Sequence, residues 1–166
     1  IGFIGAGTMG KAIIKGLINT GFIDKQNIYV SEATPEFAEL ASKDLGLAVT
    51  CDNKKLAQSS DFIVLCVKPF YMKEVITEIK EELAENKVLI SIAAGITTES
   101  IEKTAQINVP VVRVMPNTPV LVGEGMSAVA KGKYAKKEHA EFVIEMFSKT
   151  GKCIEVKEKA LNAVTG

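Results

Sequence analysis

The sequence predicts an α/β fold of the doubly wound Rossmann type, a mostly parallel sheet with extra strands at one edge. Residues 1–10 run from a short apolar segment into a glycine-rich turn, and apolar and amphipathic segments then alternate along the chain. The runs 63–67 and 88–92 lack the polar alternation of a half-exposed strand, as expected for strands covered on both faces. Repeated β-α units of this length favour right-handed crossovers and helices on both sides of the sheet.

Six strands and five helices are predicted before the chain reaches Pro119. The predicted strands are residues 1–5, 27–31, 47–50, 61–67, 87–93 and 110–115. The predicted helices are residues 8–20, 35–45, 53–58, 70–84 and 98–106. In the fourth of these helices Val75, Ile76, Ile79 and Leu83 share one face, which is the spacing of an amphipathic helix.

The pattern changes after Pro119. Two further strands are predicted at residues 126–130 and 151–156, on either side of a helix at 135–149. We expect these strands to extend the sheet at one edge. The predicted domains are a dinucleotide-binding domain over residues 1–150, and a last strand with the start of a connecting segment over 151–166.

The turn after the first strand carries the pattern Gly-x-Gly-x-x-Gly on Gly5, Gly7 and Gly10. In such turns the first glycine permits the tight bend and the second lets the backbone approach a pyrophosphate. The third glycine lets the helix pack closely on the strand. The free N–H groups and the dipole at the start of that helix favour an anion. The turn therefore predicts a dinucleotide site.

An acidic residue, Glu32, follows Gly10 at the spacing typical of the acid that binds the adenosine ribose. A carboxylate there accepts hydrogen bonds from the ribose hydroxyls and repels a 2′-phosphate, which favours NAD. The neighbouring residues allow NADP as well, because hydroxyls and ammonium groups can hold a phosphate; these residues are Ser31, Thr34, Lys54 and Lys55. In a third interpretation, Glu32 is a solvated turn residue without a binding role. The sequence leaves NAD and NADP open.

Composition excludes several function classes. The 20 acidic and 20 basic residues cancel, so no net field attracts nucleic acid or an anionic membrane. No apolar run approaches the ~20 residues that span a bilayer. Cys51, Cys66 and Cys153 show neither a disulfide nor a zinc pattern, and we expect buried free thiols in a reducing, cytoplasmic setting. The single histidine, His139, lies in a distant polar helix, which argues against a Cys-His nucleophile.

Small residues, prolines and amides recur in the loops after the predicted strands. Ligands of doubly wound sheets bind at the carboxyl ends of the strands, so these loops should share one rim. Together with the glycine turn they resemble the pyrroline-5-carboxylate reductase family over essentially the whole chain. The matching segments are residues 5–10, 66–69, 93–95, 113–119, 122–125 and 160–166. The segments 67–69 and 115–119 are much more specific than the glycine turn.

The resemblance implies hydride transfer from NADPH or NADH to the C=N bond of 1-pyrroline-5-carboxylate, which gives L-proline. This family uses NADPH readily and often accepts NADH. The loop positions and the resemblance together predict the cofactor-binding residues, and no metal ligands are predicted. The cofactor-binding residues are Gly5, Ala6, Gly7, Thr8, Met9, Gly10, Ser31, Glu32, Asn53, Val67, Lys68, Pro69, Ala93, Ala94, Gly95, Asn117 and Pro119.

Three side chains have competing interpretations. Lys68 is a candidate general acid, but contact of its charge with a cofactor phosphate, a ribose or a backbone carbonyl is favoured. Arg113, the only arginine, is a candidate carboxylate clamp, but its apolar strand favours a structural ion pair or carbonyl contact. Asn117 contacts cofactor or substrate, or else it caps a turn between two prolines.

Members of the family continue into a helical domain that forms an interlocked dimer and completes the substrate site. The resemblance therefore implies a homo-oligomer formed through a C-terminal domain outside this chain, with a cyclic imine as substrate. On this reading the chain holds the cofactor and does not by itself complete an active site. Two alternatives stay open: another imine reductase or β-hydroxyacid-dehydrogenase-like enzyme, and a non-catalytic nucleotide-binding module.

Overall fold

A computed structural model describes residues 1–164, and it describes the side chains of residues 1–161. Eight strands form one sheet within this part of the chain. They are β1 (Gly2–Ile4), β2 (Tyr29–Ser31), β3 (Val49–Thr50), β4 (Phe62–Leu65), β5 (Val88–Ser91), β6 (Val111–Pro116), β7 (Gly125–Lys131) and β8 (Gly151–Glu155). The α-helices are α1 (Thr8–Asn19), α2 (Pro35–Leu45), α3 (Asn53–Gln58), α4 (Met72–Ile79), α5 (Thr98–Ala105), α6 (Lys137–Ser148) and α7 (Glu158–Val164).

The strand order is β3-β2-β1-β4-β5-β6-β7-β8, which confirms the doubly wound fold. Neighbouring strands are parallel except β6 and β7, which pair antiparallel. The chain leaves β1 towards β2 and β3 on one side, and returns to place β4 on the other side of β1. The predicted extra strands are β7 and β8, and they extend the edge beyond β6 as expected.

Alternate residues of each central strand pack on opposite faces of the sheet. Phe3 and Val64 belong to the apolar cluster under α1, α2 and α6, whereas Ile4, Ile63 and Leu65 belong to the cluster under α3, α4 and α5. All five side chains are buried. Burying such a side chain stabilises the fold by roughly 1.5–3 kcal/mol, so the covered faces account for the uninterrupted apolar runs.

The helix predicted at residues 70–84 is shorter than expected. Pro69–Tyr71 form a 3-10 turn before α4, and Lys80–Glu82 form another after it, although Leu83 is still buried. Proline at the start of a turn fits this entry because it lacks an N–H to donate. The apolar spacing therefore located the buried face correctly and overestimated the helix.

A second correction concerns α7, because the sequence predicted only a connecting segment after β8. The helix contacts β6 and β7, and the buried Leu161 packs with Met115, Ala128 and Ala130. A helix of seven residues is too short to show a helical period in the sequence, so tertiary packing rather than sequence pattern identifies it.

A third correction concerns the cysteines. Cys66 and Cys153 are partly buried, but Cys51 is exposed in the loop between β3 and α3. All three are free, as predicted. Cys51 directly follows Thr50, the last residue of β3, and this position leaves the thiol beyond the sheet.

Candidate functional site

A cleft of about 1430 Å³ opens at the carboxyl ends of β1, β2 and β4. The glycine turn forms one wall, the loop after β2 closes one end, and the loop after β4 forms the opposite wall. Nine of the predicted cofactor-binding residues line it, which are Gly5, Ala6, Gly7, Thr8, Ser31, Glu32, Asn53, Val67 and Lys68.

The glycine turn bends the chain from β1 into α1. Gly5 has φ +88°, in the left-handed region that favours glycine, and its N–H donates to the Ser31 carbonyl at 2.9 Å. A Cβ added at Gly10 would lie 3.0 Å from the Gly5 carbonyl oxygen and 3.3 Å from Cβ of Cys66. The turn and the close packing of α1 therefore depend on Gly5 and Gly10.

Gly7 has a different environment. It is the N-cap residue of α1, with φ −65° and ψ −176°, and a Cβ added there would meet no atom within 4 Å. No side chain caps the N-terminus of α1 and no acidic residue lies in its first turn. The first N–H groups of α1 and the positive end of its dipole thus face open space in the cleft, where an anion fits.

Glu32 reaches into the cleft from the end of β2. Its Oε1 accepts a hydrogen bond from the Ala6 N–H at 2.6 Å, and the residue is half-buried. Within the described part of the chain, Oε2 has no hydrogen-bond partner. Glu32 is therefore fixed to the glycine turn and is not a solvated turn residue.

A hydrogen-bond chain leads from Ser31 to α4. The buried Ser31 hydroxyl donates to Oδ1 of Asn53 at 2.7 Å, and Nδ2 of Asn53 donates to Oε2 of Glu78 at 2.8 Å. Glu78 was not predicted, because nothing on the polar face of α4 distinguishes it from other solvated acids. The chain of contacts fixes the amide of Asn53 at the mouth of the cleft.

Lys68 and Val67 lie on the opposite wall, with Tyr71 and Glu74 beyond them. The ammonium group of Lys68 forms neither an ion pair nor a hydrogen bond with any described residue. Cys66 lies beneath this wall, where burial and, to a lesser extent, the Glu32 charge raise the pKa of its thiol to about 12. Lys68 is thus the cation of this wall, and Cys66 is a neutral packing residue.

Two other lysines reach the cleft from α1. Lys11 and Lys15 both pair with Asp44 of α2, at 3.0 Å for Lys11. These contacts lower the pKa of Asp44, through hydrogen bonds from Lys15 first and Lys11 second. Asp44 therefore neutralises part of the positive charge that Lys11 and Lys15 bring to the cleft.

The loop after β5 does not line this cleft, and the loop after β6 lines it only through residues 120–123. Ala93 is buried, while Ala94, Gly95 and Pro119 are exposed. Asn117 is exposed too, and its Oδ1 accepts a hydrogen bond from the Met126 N–H at 2.7 Å. One end of the Asn117 side chain thus fastens this loop to β7, and no side-chain hydrogen bond from Asn117 caps the turn that follows it, so the turn-capping interpretation is wrong. Met9, Gly10 and Pro69 also lie outside the cleft lining.

Arg113 lies away from the cleft, with 1% of its surface exposed. Its Nη1 lies 3.5 Å from Oε1 of Glu158 on α7, and Glu158 also accepts hydrogen bonds from the N–H and hydroxyl of Thr98, both at 2.8 Å. This is the structural ion pair rather than the carboxylate clamp. Nε and Nη2 of Arg113 have no partner among the described residues.

The described residues contain neither a candidate metal site nor a helix that could span a membrane. No group of three or more His, Cys, Asp or Glu side chains in the described residues could hold a metal ion. Across the same residues, no helix is long and apolar enough to cross a membrane.

The thiols provide a first test of this geometry. At pH 8 we expect one thiol per chain to react rapidly with a thiol reagent, Cys51, while Cys66 and Cys153 stay slow. Burial raises the pKa of Cys66 to about 12 and that of Cys153 to about 11, so both remain neutral at pH 8. Because these pKa values are raised, the two protonated thiols favour the folded state. Their contribution to the free energy of unfolding is complete below the ordinary thiol pKa and is lost as pH rises from there to about 12.

Labelling kinetics with a chromogenic disulfide check this expectation. The Cys51→Ser variant should lose the fast phase and keep its folding midpoint. A fast phase that survives in that variant would contradict the burial of the other two thiols.

Comparison with known proteins supports one family. Residues 1–95 match the family model described as NADP oxidoreductase, coenzyme F420-dependent. The chain is 41% identical over 168 residues to a pyrroline-5-carboxylate reductase of Corynebacterium melassecola, and 39% identical over 166 residues to one of Methanosarcina acetivorans. The alignments cover 99% and 100% of this chain and 62% of each relative.

Solved structures of pyrroline-5-carboxylate reductases are also similar to this chain. A pyrroline-5-carboxylate reductase from Coxiella burnetii matches with a TM-score of 0.92 and 32% identity, over 99% of this chain and 61% of that one. Pyrroline carboxylate reductase of Plasmodium falciparum, solved with NADP bound, matches with a TM-score of 0.88 and 34% identity, over 99% and 60%. Prephenate dehydrogenase of Aquifex aeolicus, at 18% identity and a TM-score of 0.81, shares the fold.

Proposed function

Since the chain belongs to the NADP oxidoreductase, coenzyme F420-dependent family and is similar over its whole length to the N-terminal part of pyrroline-5-carboxylate reductases, we propose that it is the cofactor-binding part of such an enzyme. The chain spans about three fifths of the relatives' length. The proposed reaction is hydride transfer from NADPH or NADH to the C=N bond of 1-pyrroline-5-carboxylate, giving L-proline.

One observation supports this proposal above the others. The open space at Gly7 meets the uncapped N-terminus of α1, with Glu32 and Asn53 at one end of the same cleft and Lys68 on its wall. A pyrophosphate fits the N–H groups, and a ribose fits the acceptor Oε2 of Glu32. The cleft is thus suited to an extended dinucleotide rather than to a compact anion.

The cofactor itself supplies the hydride. The residues of this chain hold and orient it: the glycine turn binds the pyrophosphate, and Val67, Lys68 and Pro69 cover its middle. Ala93, Ala94, Gly95, Asn117 and Pro119 lie further along the rim, on the side of the nicotinamide. Holding the two reacting carbons at contact distance and excluding water lowers the barrier by several kcal/mol in such reactions.

Lys68 fits a binding role better than a proton-donor role. Its ammonium group lies on the cleft wall with no described partner, where the negative charge of a cofactor phosphate compensates it. The proton for the product amine then comes from a group outside this chain or from solvent. Lys68 therefore contributes charge to cofactor binding in this proposal.

The remaining parts of the proposal concern the whole protein. Residues 1–150 form the dinucleotide-binding domain, and 151–166 contain its last strand and begin the connection to a helical domain that completes the substrate site and forms a homo-oligomer. The substrate is a small cyclic imine, and the enzyme works in the cytoplasm.

Cofactor binding and turnover test the proposal separately. We expect the 166-residue chain to bind NADPH or NADH, measured by quenching or enhancement of nicotinamide fluorescence, and to oxidise neither at a measurable rate with 1-pyrroline-5-carboxylate. The complete gene product that contains this chain should oxidise the reduced cofactor with that imine. Hydroxy acids and keto acids, assayed in parallel, are the control substrates.

Two results would contradict the proposal. Full turnover by the 166-residue chain would show that no further segment completes the site. A complete gene product that binds the cofactor and reduces neither the imine nor a keto acid would favour a nucleotide-binding module without catalysis.

A further inference from the structure

The end of the cleft at β2 is acidic. Glu32 follows β2 directly, and Glu74 and Glu78 of α4 line the cleft facing it. The Ala6 N–H holds Glu32 at 2.6 Å, so this carboxylate is not free to swing out into solvent. A ribose bound at the end of β2 thus meets an anchored carboxylate with one oxygen, Oε2, available to accept its hydroxyls.

Of the two hydroxyls predicted to hold a 2′-phosphate at this end, that of Ser31 is already engaged as a donor. Ser31 is fully buried and donates its hydroxyl hydrogen to Asn53, while Asn53 donates to Glu78. Thr34 is the exposed N-cap residue of α2: its hydroxyl oxygen accepts the Phe37 N–H at 3.3 Å, and its O–H can still donate. Freeing Ser31 would leave a buried polar group unpaired, which is unfavourable.

The cations that line the cleft are held by a carboxylate or lie away from this end. Lys54 and Lys55 are exposed on α3 and do not line the cleft. Lys11 and Lys15 share Asp44. Lys68 follows β4, and β1 separates β4 from β2, so its charge lies towards the middle of the cleft.

We propose that Glu32, anchored to the glycine turn by the Ala6 N–H, makes this site select NADH over NADPH. The inference rests on the proposed function, since it assumes that a nicotinamide dinucleotide occupies the cleft. The sequence left the two cofactors open because Ser31, Thr34 and the lysines were equally good phosphate ligands there. Their positions in the fold weaken that alternative, because Ser31 is engaged and Lys54 and Lys55 do not line the cleft.

Binding of the two reduced cofactors to the 166-residue chain tests the selectivity without any turnover. We expect the Kd for NADPH to exceed that for NADH by at least about tenfold, because a phosphate within a few ångströms of a carboxylate is repelled by it. The ratio should shrink as salt is raised, since the repulsion is screened. Adenosine 2′,5′-bisphosphate should likewise compete less well than 5′-AMP.

The Glu32→Ser variant isolates the carboxylate. Its Kd for NADPH should fall by at least about tenfold, while the Kd for NADH rises by only a few-fold, because a hydroxyl still serves the ribose. Glu36→Ser is the matched control, because Glu36 is exposed on the next helix outside the cleft. It should leave the ratio unchanged.

The possible outcomes separate this inference from the function on which it rests. Equal or tighter binding of NADPH by the unaltered chain, or an unchanged ratio in Glu32→Ser, would overturn the selectivity and leave the dinucleotide site intact. Failure to bind either cofactor would overturn the dinucleotide site itself. The salt series on the unaltered chain keeps the test decisive if Glu32→Ser fails to fold.

Discussion

The Gly7→Val variant should fold normally and lose cofactor affinity by a factor on the order of 100. The added side chain meets no protein atom within 4 Å of its Cβ, and the backbone at Gly7 is extended, which valine adopts readily. The branches of valine instead occupy the space in front of the first N–H groups of α1. Losing one or two hydrogen bonds to a charged phosphate, each worth about 1.5–3 kcal/mol, accounts for the expected factor.

Titration of NADH and of NADPH fluorescence with the variant measures the loss, and urea unfolding measures the fold. Loss of glycine at the N-cap should lower the free energy of unfolding by no more than about 1 kcal/mol. Ala84→Val is the control, because Ala84 is exposed in a loop outside the cleft. Unchanged affinity in a folded Gly7→Val protein would place the pyrophosphate elsewhere.

The Glu158→Ala variant should lower the free energy of unfolding by about 3 kcal/mol, the lower end of the range for a broken buried ion pair. Arg113 is 1% exposed and already has two nitrogens without described partners, so removal of Glu158 leaves its charge uncompensated. The N–H and hydroxyl of Thr98, at the start of α5, also lose their acceptor. The partial exposure of Glu158 keeps the effect from being larger.

Urea unfolding of single and double variants separates charge from packing. Arg113→Met combined with Glu158→Leu should recover most of the loss, because an apolar pair of similar volume needs no compensation. Glu155→Ala is the matched control: Glu155 pairs with Lys131 at 3.3 Å on the exposed edge, and its loss should cost no more than about 1 kcal/mol. Similar losses in Glu158→Ala and Glu155→Ala would show that the Arg113 contact contributes nothing beyond a surface pair.

The glycine turn and the uninterrupted apolar runs predicted the fold for a physical reason. Strands covered on both faces need apolar residues at every position, and a βα turn against a sheet needs glycine at Gly5 and Gly10, so both requirements are written locally. The helix at residues 158–164 was missed because its seven residues are too few to show a helical period, although Leu161 and Glu158 attach it to the sheet. The helix at 70–84 was overextended because its apolar face continues through a 3-10 turn.

The candidate site was predicted in part, and its assigned roles stay predictions until ligand binding is measured. Motif spacing placed Glu32 near the glycine turn, yet only the fold shows that the Ala6 N–H holds it. Glu78 gave no signal in the sequence, and it reaches Asn53 because α4 packs against α3. Long-range side-chain contacts of this kind leave no periodic trace in a single sequence.

The sequence by itself determined the αβ alternation, the glycine turn and the rim on which a ligand can bind, because each depends on residues close together in the chain. The tertiary structure alone decided which side chains are free to act there. It buried Ser31 against Asn53, paired Lys11 and Lys15 with Asp44, and enclosed Arg113 beside Glu158. A polar group's availability depends on the partners that the fold brings to it, and those partners lie far away in sequence.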